Sequence, residues 1–202
     1  MAAVARARID SPKNPRVKEL LRLHERRARE REGRTLIEGT RETDRAAEAG
    51  VRIDTLLVAP TLLRPDGRAL AQRLELAGVA VIELAEPAFA RLSRRQGPDG
   101  VLAVARPPRR TLDALVLPGD ALVLVAIGTE KPGNLGALAR SADAAAASAL
   151  IAVEGEGTDP WNPAAIRASM GAVFSVPTVA APGAEVRAWL NRWALRVVAA
   201  TP

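Results

Sequence analysis

From residue 34 onward, short apolar runs alternate with stretches that have the apolar spacing of a helix. Glycines separate many of these stretches, as expected at the ends of regular elements. The runs predict strands at 35–37, 55–58, 79–84 and 101–105, and the stretches between them predict helices at 40–49, 67–77 and 87–94. Such alternation constrains the chain to an α/β fold, in which helices cover the faces of a sheet.

A second α/β unit follows a proline-containing linker at 107–119, in which Pro107 and Pro108 favour extended backbone. Strands are predicted at 121–127, 149–153, 174–179 and 195–200, and helices at 134–147, 163–170 and 185–193. Because 121–127 is unbroken and apolar, we expect it to be a central strand covered on both faces. The predicted organisation is a basic helical arm at 1–33, a first domain at 34–106, the linker, and a second domain at 120–202.

The positive charge is concentrated in the arm, where residues 1–33 contain ten Lys or Arg against five Asp or Glu. The apolar spacing after Pro15 predicts a helix there, with proline in its first turn. A surface of this charge would attract a polyanion such as RNA by releasing its counterions. An arginine-rich solvated helix with no partner remains the alternative.

The composition excludes several kinds of site. The chain has no cysteine and a single histidine, His24, which we predict to be a solvated helix position. Thiol nucleophiles, catalytic histidine triads and cysteine or multi-histidine metal sites are therefore not expected. No apolar run reaches the ~18–20 residues of a membrane span, and no signal peptide is recognisable, so we expect no membrane partner and a cytoplasmic location.

The step from strand 121–127 into a helix near Asn134 has the form of a ligand site. Ligands of α/β sheets bind at the carboxyl ends of strands, near the amide groups of helix N-termini. Gly133 and Gly136 would permit a close backbone approach. The pattern is neither a Walker loop nor a dinucleotide fingerprint. A structural turn that caps the helix would look similar, so the residues alone leave both possibilities open.

Three segments together resemble the SpoU/TrmH family of RNA ribose 2′-O-methyltransferases. Residues 131–140 read Lys-Pro-Gly-Asn-Leu-Gly-Ala-Leu-Ala-Arg and are similar to the first signature of the family. Residues 159–177 contain its Asn-Pro and Arg-x-Ser-x-Gly pattern, and residues 35–41 resemble the start of its substrate-binding domain. The resemblance implies an L30e-like substrate-binding domain followed by a SPOUT methyltransferase domain of the trefoil-knot type. It also implies S-adenosylmethionine as cofactor and a homodimer.

The resemblance assigns roles to particular residues. Arg140 matches the arginine thought to activate the ribose 2′-hydroxyl, and Asn134 matches the asparagine that organises the site. Because arginine stays protonated, stabilisation of the alkoxide is as good a role for Arg140 as that of a base. The expected RNA contacts are Arg167, Ser169, Arg41, Arg26 and Arg27, although Arg167 and Ser169 are equally suited to support a dimer or to pack a capped helix. Thr201 is a weaker cofactor-contact candidate.

The sequence departs from the family pattern in two respects. Ala146 stands where the family often has glycine, which restricts the backbone at the end of a helix. The later glycine-rich and Ser-Leu-Asn signatures have no counterpart, so we expect a methyltransferase domain truncated before the knot and inactive alone. For the full-length protein we expect ribose methylation of 23S ribosomal RNA. Transfer RNA as substrate, or a non-catalytic RNA-binding module, are the alternatives.

Overall fold

The computed structural model describes residues 6–155 and 157–200. Its first unit contains β1 Ala7–Ile9, α1 Pro15–Leu21, α2 Arg26–Glu32, β2 Thr35–Glu38, α3 Thr40–Glu48, β3 Arg52–Val58, α4 Pro65–Leu76, β4 Ala80–Leu84, α5 Glu86–Leu92 and β5 Val101–Arg106. The strands form a sheet of order β1-β4-β3-β5-β2. β5 is antiparallel to both of its neighbours, while β1, β4 and β3 run parallel. The alternation of strands and helices predicted from residue 34 is confirmed here.

The basic N-terminal segment takes part in this sheet. β1 pairs in parallel with β4, with Ala7 opposite Ile82. The predicted helix after Pro15 is present as α1: Asn14 accepts a hydrogen bond from the Arg16 amide at 2.8 Å, which satisfies a free donor of the first turn. α1 buries Val17 in the same apolar cluster as residues of β4 and α5. The described part of this segment therefore helps to build the core of the first unit.

His24 is half-buried, contrary to the solvated position predicted for it. It lies in a 3₁₀ turn, Arg22–His24, and its Nε2 is 2.9 Å from the carbonyl oxygen of Leu92 at the end of α5. Burial lowers the pKa of the imidazole below its usual value, because a charged ring would lose hydration there. His24 thus acts as a neutral connection between the 3₁₀ turn and α5.

We expect the free energy of unfolding to fall as the pH is lowered through about 6.5 towards the depressed pKa of His24. In this window the unfolded histidine binds a proton that the folded one resists, so stability is complete only above the unfolded pKa. Denaturant titrations at a series of pH values measure the effect. His24→Gln keeps a donor for Leu92 and does not titrate; a variant with the same pH dependence as the native chain would contradict the assignment.

The second unit contains a 3₁₀ turn Leu112–Ala114, β6 Val123–Ala126, α6 Pro132–Ala144, β7 Ala149–Val153, α7 Pro163–Ala168, α8 Ala172–Ser175, β8 Thr178–Ala181 and α9 Gly183–Arg192. Its sheet is parallel, with the order β6-β7-β8. The prediction that 121–127 is a central, covered strand is wrong for the described chain. β6 lies at the edge and is mostly half-buried, whereas β7 is central and buried throughout. An apolar run indicates a tendency to be buried and does not specify its neighbours.

Two other predictions in this unit are also wrong. Phe174 was expected in a strand, but it lies in α8 and is 2% exposed; the strand begins only after Pro177, at Thr178. Residues 195–200 form no strand in the described structure. Leu195 packs against the second sheet, while Val197 and Val198 are 69% and 74% exposed. A short apolar run forms a strand only where a partner strand is available.

At the end of α6, the structure shows the backbone conformation of Ala146, the residue that stands where the family often has glycine. Ala146 follows the helix and has a φ of 49°, in the left-handed region that favours glycine. A β-carbon there costs ~1–2 kcal/mol relative to right-handed backbone. Alanine is therefore accommodated at the position where the resemblance expects glycine, with local strain.

One apolar cluster, here called the shared core, contains side chains from both units. Ile37 and Ala46 of the first unit lie in it with Ala139, Ile166 and Phe174 of the second. Polar contacts surround it: the Thr35 hydroxyl donates to the Trp161 carbonyl at 2.7 Å, and Arg45 pairs with Asp143 at 3.2 Å. The two units are consequently packed on each other around a common core.

Candidate functional site

The predicted strand, loop and helix junction is present between β6 and α6. Lys131 precedes the helix with extended backbone, and Pro132 occupies the first position, where its missing amide proton costs nothing. Asn134 lies in the first turn and is exposed, and its backbone amide donates to the Lys131 carbonyl at 3.0 Å. The amide side chain of Asn134 is therefore presented to solvent at the carboxyl end of a parallel strand.

Arg140 is exposed further along α6. Its Nη1 donates to the backbone carbonyl of Ala168, at the end of α7. Arg140 and Asn134 are six residues apart on a continuous helix, which corresponds to a rise of ~9 Å and a rotation of ~240°. Helix geometry thus places the two candidate catalytic residues on different faces of α6.

Gly136 brings α6 and α7 together. A β-carbon on it would lie 2.5 Å from the β-carbon of Ala168, and 2.7 Å from both the Ala168 carbonyl carbon and the Ser169 amide nitrogen. Gly136 and Arg140 are four residues apart and share a helix face. The glycine therefore allows the close approach that places the Ala168 carbonyl within reach of the Arg140 guanidinium.

The Asn-Pro and Arg-x-Ser segment forms α7 as predicted. The Asn162 side chain accepts from the Ala164 amide at 2.9 Å, and Pro163 occupies the first position. Ser169 is completely buried; its hydroxyl donates to the Ile166 carbonyl at 2.7 Å. The same hydroxyl accepts from the Val173 amide at 3.4 Å and so joins α7 to α8. The expected RNA contact of Ser169 therefore does not fit the structure.

Arg167, the other polar residue of this segment, reaches into the first unit. Its Nη1 lies 3.1 Å from a carboxylate oxygen of Glu38, at the end of β2. The Arg167 side chain is 30% exposed, whereas that of Glu38 is 4% exposed. Glu38 was not among the functional residues predicted from the sequence. The signal was available, because a carboxylate that ends an apolar strand must find donors if it is buried.

The arginines predicted to contact RNA differ in their surroundings. The Arg41 side chain is 55% exposed and lies 3.4 Å from Glu42. Arg27 is exposed on α2. Arg26 pairs with Glu30 at 2.7 Å, and that hydrogen bond raises the pKa of its guanidinium above the usual value. All three arginines are exposed at the surface of the first unit.

A cavity of about 380 Å³ lies between α2, the linker and the carboxyl ends of β7 and β8. Its wall contains Arg29, which is 5% exposed and pairs with Asp159 at 2.5 Å. Such a position suits a ligand of a parallel sheet. However, neither Arg140 nor Asn134 lines this cavity, although Asp159 and Trp161 at the start of the 159–177 segment do.

Among the described residues, the edge of the second sheet at β6 is exposed. The outer edge of that strand is unpaired within the described chain, and Leu122 and Ile127 next to it are 52% and 66% exposed. Thr201, the cofactor-contact candidate, lies outside the described residues. The structure therefore presents the arginine side of the candidate site, with its opposite side open.

The described ranges contain neither a metal-binding cluster nor a membrane-spanning helix. No group of three or more His, Cys, Asp or Glu side chains is arranged to hold a metal ion. None of the helices there combines the length and the apolar character needed to cross a bilayer.

Comparison with known families matches both units. Residues 14–103 match the MRM3-like substrate binding domain, and residues 121–202 match the SpoU rRNA Methylase family. The first match begins at Asn14 and so includes α1.

Individual proteins are similar over most of the chain. A 23S rRNA (uridine(2479)-2′-O)-methyltransferase from Streptomyces viridochromogenes is 33% identical, over 89% of this chain and 61% of its own length. A crystal structure of an RNA 2′-O ribose methyltransferase superposes with a TM-score of 0.82 and 46% identity, covering 96% of this chain and 73% of that one. The SpoU methyltransferase AviRb from S. viridochromogenes, in complex with AdoMet, gives a TM-score of 0.77 and 31% identity, with coverages of 90% and 69%. The chain thus spans less than two thirds of the curated relative.

Proposed function

Because the chain belongs to the SpoU rRNA methylase family, we propose that it serves the methylation of a ribose 2′-hydroxyl in structured RNA, with 23S ribosomal RNA as substrate and S-adenosylmethionine as methyl donor. The observation that carries this proposal is the exposed Arg140 guanidinium, held at the junction of α6 and α7 by the Ala168 carbonyl. Both helices come from segments that match the family signatures. The curated relative named for 23S rRNA favours that substrate over transfer RNA.

Arg140 suits the chemistry of the ribose. A 2′-hydroxyl is a poor nucleophile near neutral pH, so its reaction needs stabilisation of the developing alkoxide and correct orientation. A guanidinium has five N–H donors, and the Ala168 carbonyl occupies Nη1. The remaining donors can hold the alkoxide oxygen or a neighbouring RNA phosphate, while Asn134 orients RNA at the start of the same helix. Bound S-adenosylmethionine supplies the methyl group.

The first unit binds the RNA partner through its charged surface. It matches a substrate-binding domain, and Arg26, Arg27 and Arg41 are exposed on it. Arginine side chains at such positions bind phosphates, which fixes the orientation of an RNA without reading its sequence. This unit therefore presents the structured RNA to the helix that carries Arg140.

We place the protein in the cytoplasm and assign it a homodimeric state. The absence of cysteine fits a reducing compartment, where disulfides would not persist. The homodimer rests on the family resemblance of the second unit.

A methyl-transfer assay tests the proposal. We expect the full-length protein to transfer label from S-adenosylmethionine into 23S ribosomal RNA as ribose methylation and to leave transfer RNA unlabelled. Calorimetric titration with S-adenosylmethionine separates the alternative function: RNA binding without cofactor binding would identify a non-catalytic RNA-binding module. Labelling of transfer RNA instead would overturn the substrate while retaining the reaction.

A further inference from the structure

The buried carboxylate of Glu38 collects donors from both units. It accepts hydrogen bonds from the Ser93 hydroxyl, from the backbone amides of Arg94 and Arg95 at 3.2 Å each, and from Arg167 at 3.1 Å. Two successive amides, a hydroxyl and a guanidinium are the donor set that proteins use to bind an anion. Here the protein fills that anion site with its own side chain.

Glu38 is connected through α7 to Arg140, the candidate catalytic residue. Arg167, its partner in α7, is adjacent in sequence to Ala168, whose carbonyl accepts from Arg140. The carboxylate and the Arg140 guanidinium are therefore connected through two neighbouring residues of one short helix. Loss of the contact between Glu38 and Arg167 would therefore shift the Ala168 carbonyl, which orients Arg140.

The same carboxylate also shapes a basic loop in the first unit. Residues 93–95 follow α5, and the two backbone amides that donate hydrogen bonds to Glu38 belong to arginines of this loop. The side chain of Arg94 is exposed and that of Arg95 is 33% exposed. Because the Arg167 guanidinium pairs with the Glu38 carboxylate, the negative charge is offset and the loop keeps its positive character.

We propose that Glu38 is a positioning residue: it holds the 93–95 loop and α7 in one arrangement, which fixes the site for RNA phosphates relative to Arg140. This inference rests on the proposed function for the identity of the anion as RNA. The phosphates bind to the exposed Arg94 of the loop, and Glu38 acts only through the backbone and through Arg167. The spacing between bound phosphates and the reacting ribose then depends on a side chain that touches neither.

Glu38→Gln tests the proposal. The glutamine amide has the size of the carboxylate, but its NH2 group replaces one of the two acceptor oxygens and faces groups that are themselves donors. We expect the affinity for 23S ribosomal RNA to fall about tenfold, the effect of losing a charge-assisted contact. The absence of native cysteine permits a second readout. Spin labels on Gln96→Cys, in the exposed loop end, and on Ser141→Cys, next to Arg140 on α6, should give one narrow distance distribution in the native background and a broadened one with Glu38→Gln.

Glu86→Gln is the matched control, since it makes the same charge change at an exposed position in the first turn of α5. RNA affinity and label distance should both remain native in this variant. If Glu38→Gln does not fold, Ser93→Ala removes one donor to the carboxylate and should still broaden the distance distribution. Arg167→Lys keeps the positive charge beside Glu38, so its distance distribution should broaden less.

Unchanged label distances in folded Glu38→Gln or Ser93→Ala would overturn the positioning role. The proposed function fails in a different way: the native chain would then not bind RNA, while the distances would still respond to Glu38→Gln. Equal loss of RNA affinity in Glu38→Gln and Glu86→Gln would also contradict the proposal, because it would reveal a general dependence on charge.

Discussion

Replacing Arg140 by alanine in the full-length protein is expected to slow methyl transfer by about 100- to 1,000-fold, the loss typical when a donor to a developing oxyanion is removed. Cofactor affinity should remain nearly native, because the exposed guanidinium stabilises the reacting oxygen and its described partner is the Ala168 carbonyl. Single-turnover rates at saturating RNA and S-adenosylmethionine measure the chemical step, and calorimetry measures cofactor binding.

Two further variants serve as controls for Arg140→Ala. Arg187→Ala removes an exposed arginine from α9 and should leave the rate unchanged. Arg140→Lys keeps the charge but replaces the planar fork by a single ammonium, so an intermediate rate is expected. Native turnover by Arg140→Ala would remove Arg140 from the reaction and with it the observation on which the proposed function depends.

Gly136→Ala should destabilise the fold by about 3 kcal/mol, because the added methyl group overpacks a tight contact. It would lie 2.5 Å from the β-carbon of Ala168 and 2.7 Å from two backbone atoms of α7, which cannot move without displacing that helix. Helix propensity predicts the opposite sign, since alanine is favoured over glycine in a helix by ~1 kcal/mol. The direction of the change in the free energy of unfolding, measured by denaturant titration, therefore decides between packing and propensity.

Gly133 supplies the control from the same motif. No heavy atom lies within 4 Å of the position that its β-carbon would take, so Gly133→Ala should leave stability unchanged or raise it by up to ~1 kcal/mol. If both substitutions had the same effect, the close approach of α6 and α7 would not be what requires glycine at Gly136. A displaced α7 should also reduce the rate of methyl transfer, since its Ala168 carbonyl orients Arg140.

Sequence patterns predicted the elements well where local chemistry decides them. Asn162 and Pro163 mark the start of α7 because a side-chain acceptor and a fixed φ act within one turn. The partner of Arg140 could not be predicted in this way, because the Ala168 carbonyl is 28 residues away and is brought near only by the approach at Gly136. The role of Glu38 depends on donors 55 to 129 residues distant.

The wrong predictions have a related cause. The apolar strength of β6 says nothing about how many strands adjoin it, and the described sheet leaves it at the edge. His24 stands among charged residues, yet the turn that it occupies directs its ring to Leu92. In both cases tertiary neighbours determine the environment, and these are not encoded in the local pattern.

The shared core limits how such proteins can exchange parts in evolution. A cut within the linker would separate Ile37 and Ala46 from Ile166 and Phe174, leaving each half with an uncovered apolar face. A substrate-binding unit transplanted from a relative would have to match that face as well as the linker. New RNA targets should therefore arise by gradual change of surface loops more readily than by recombination of whole domains.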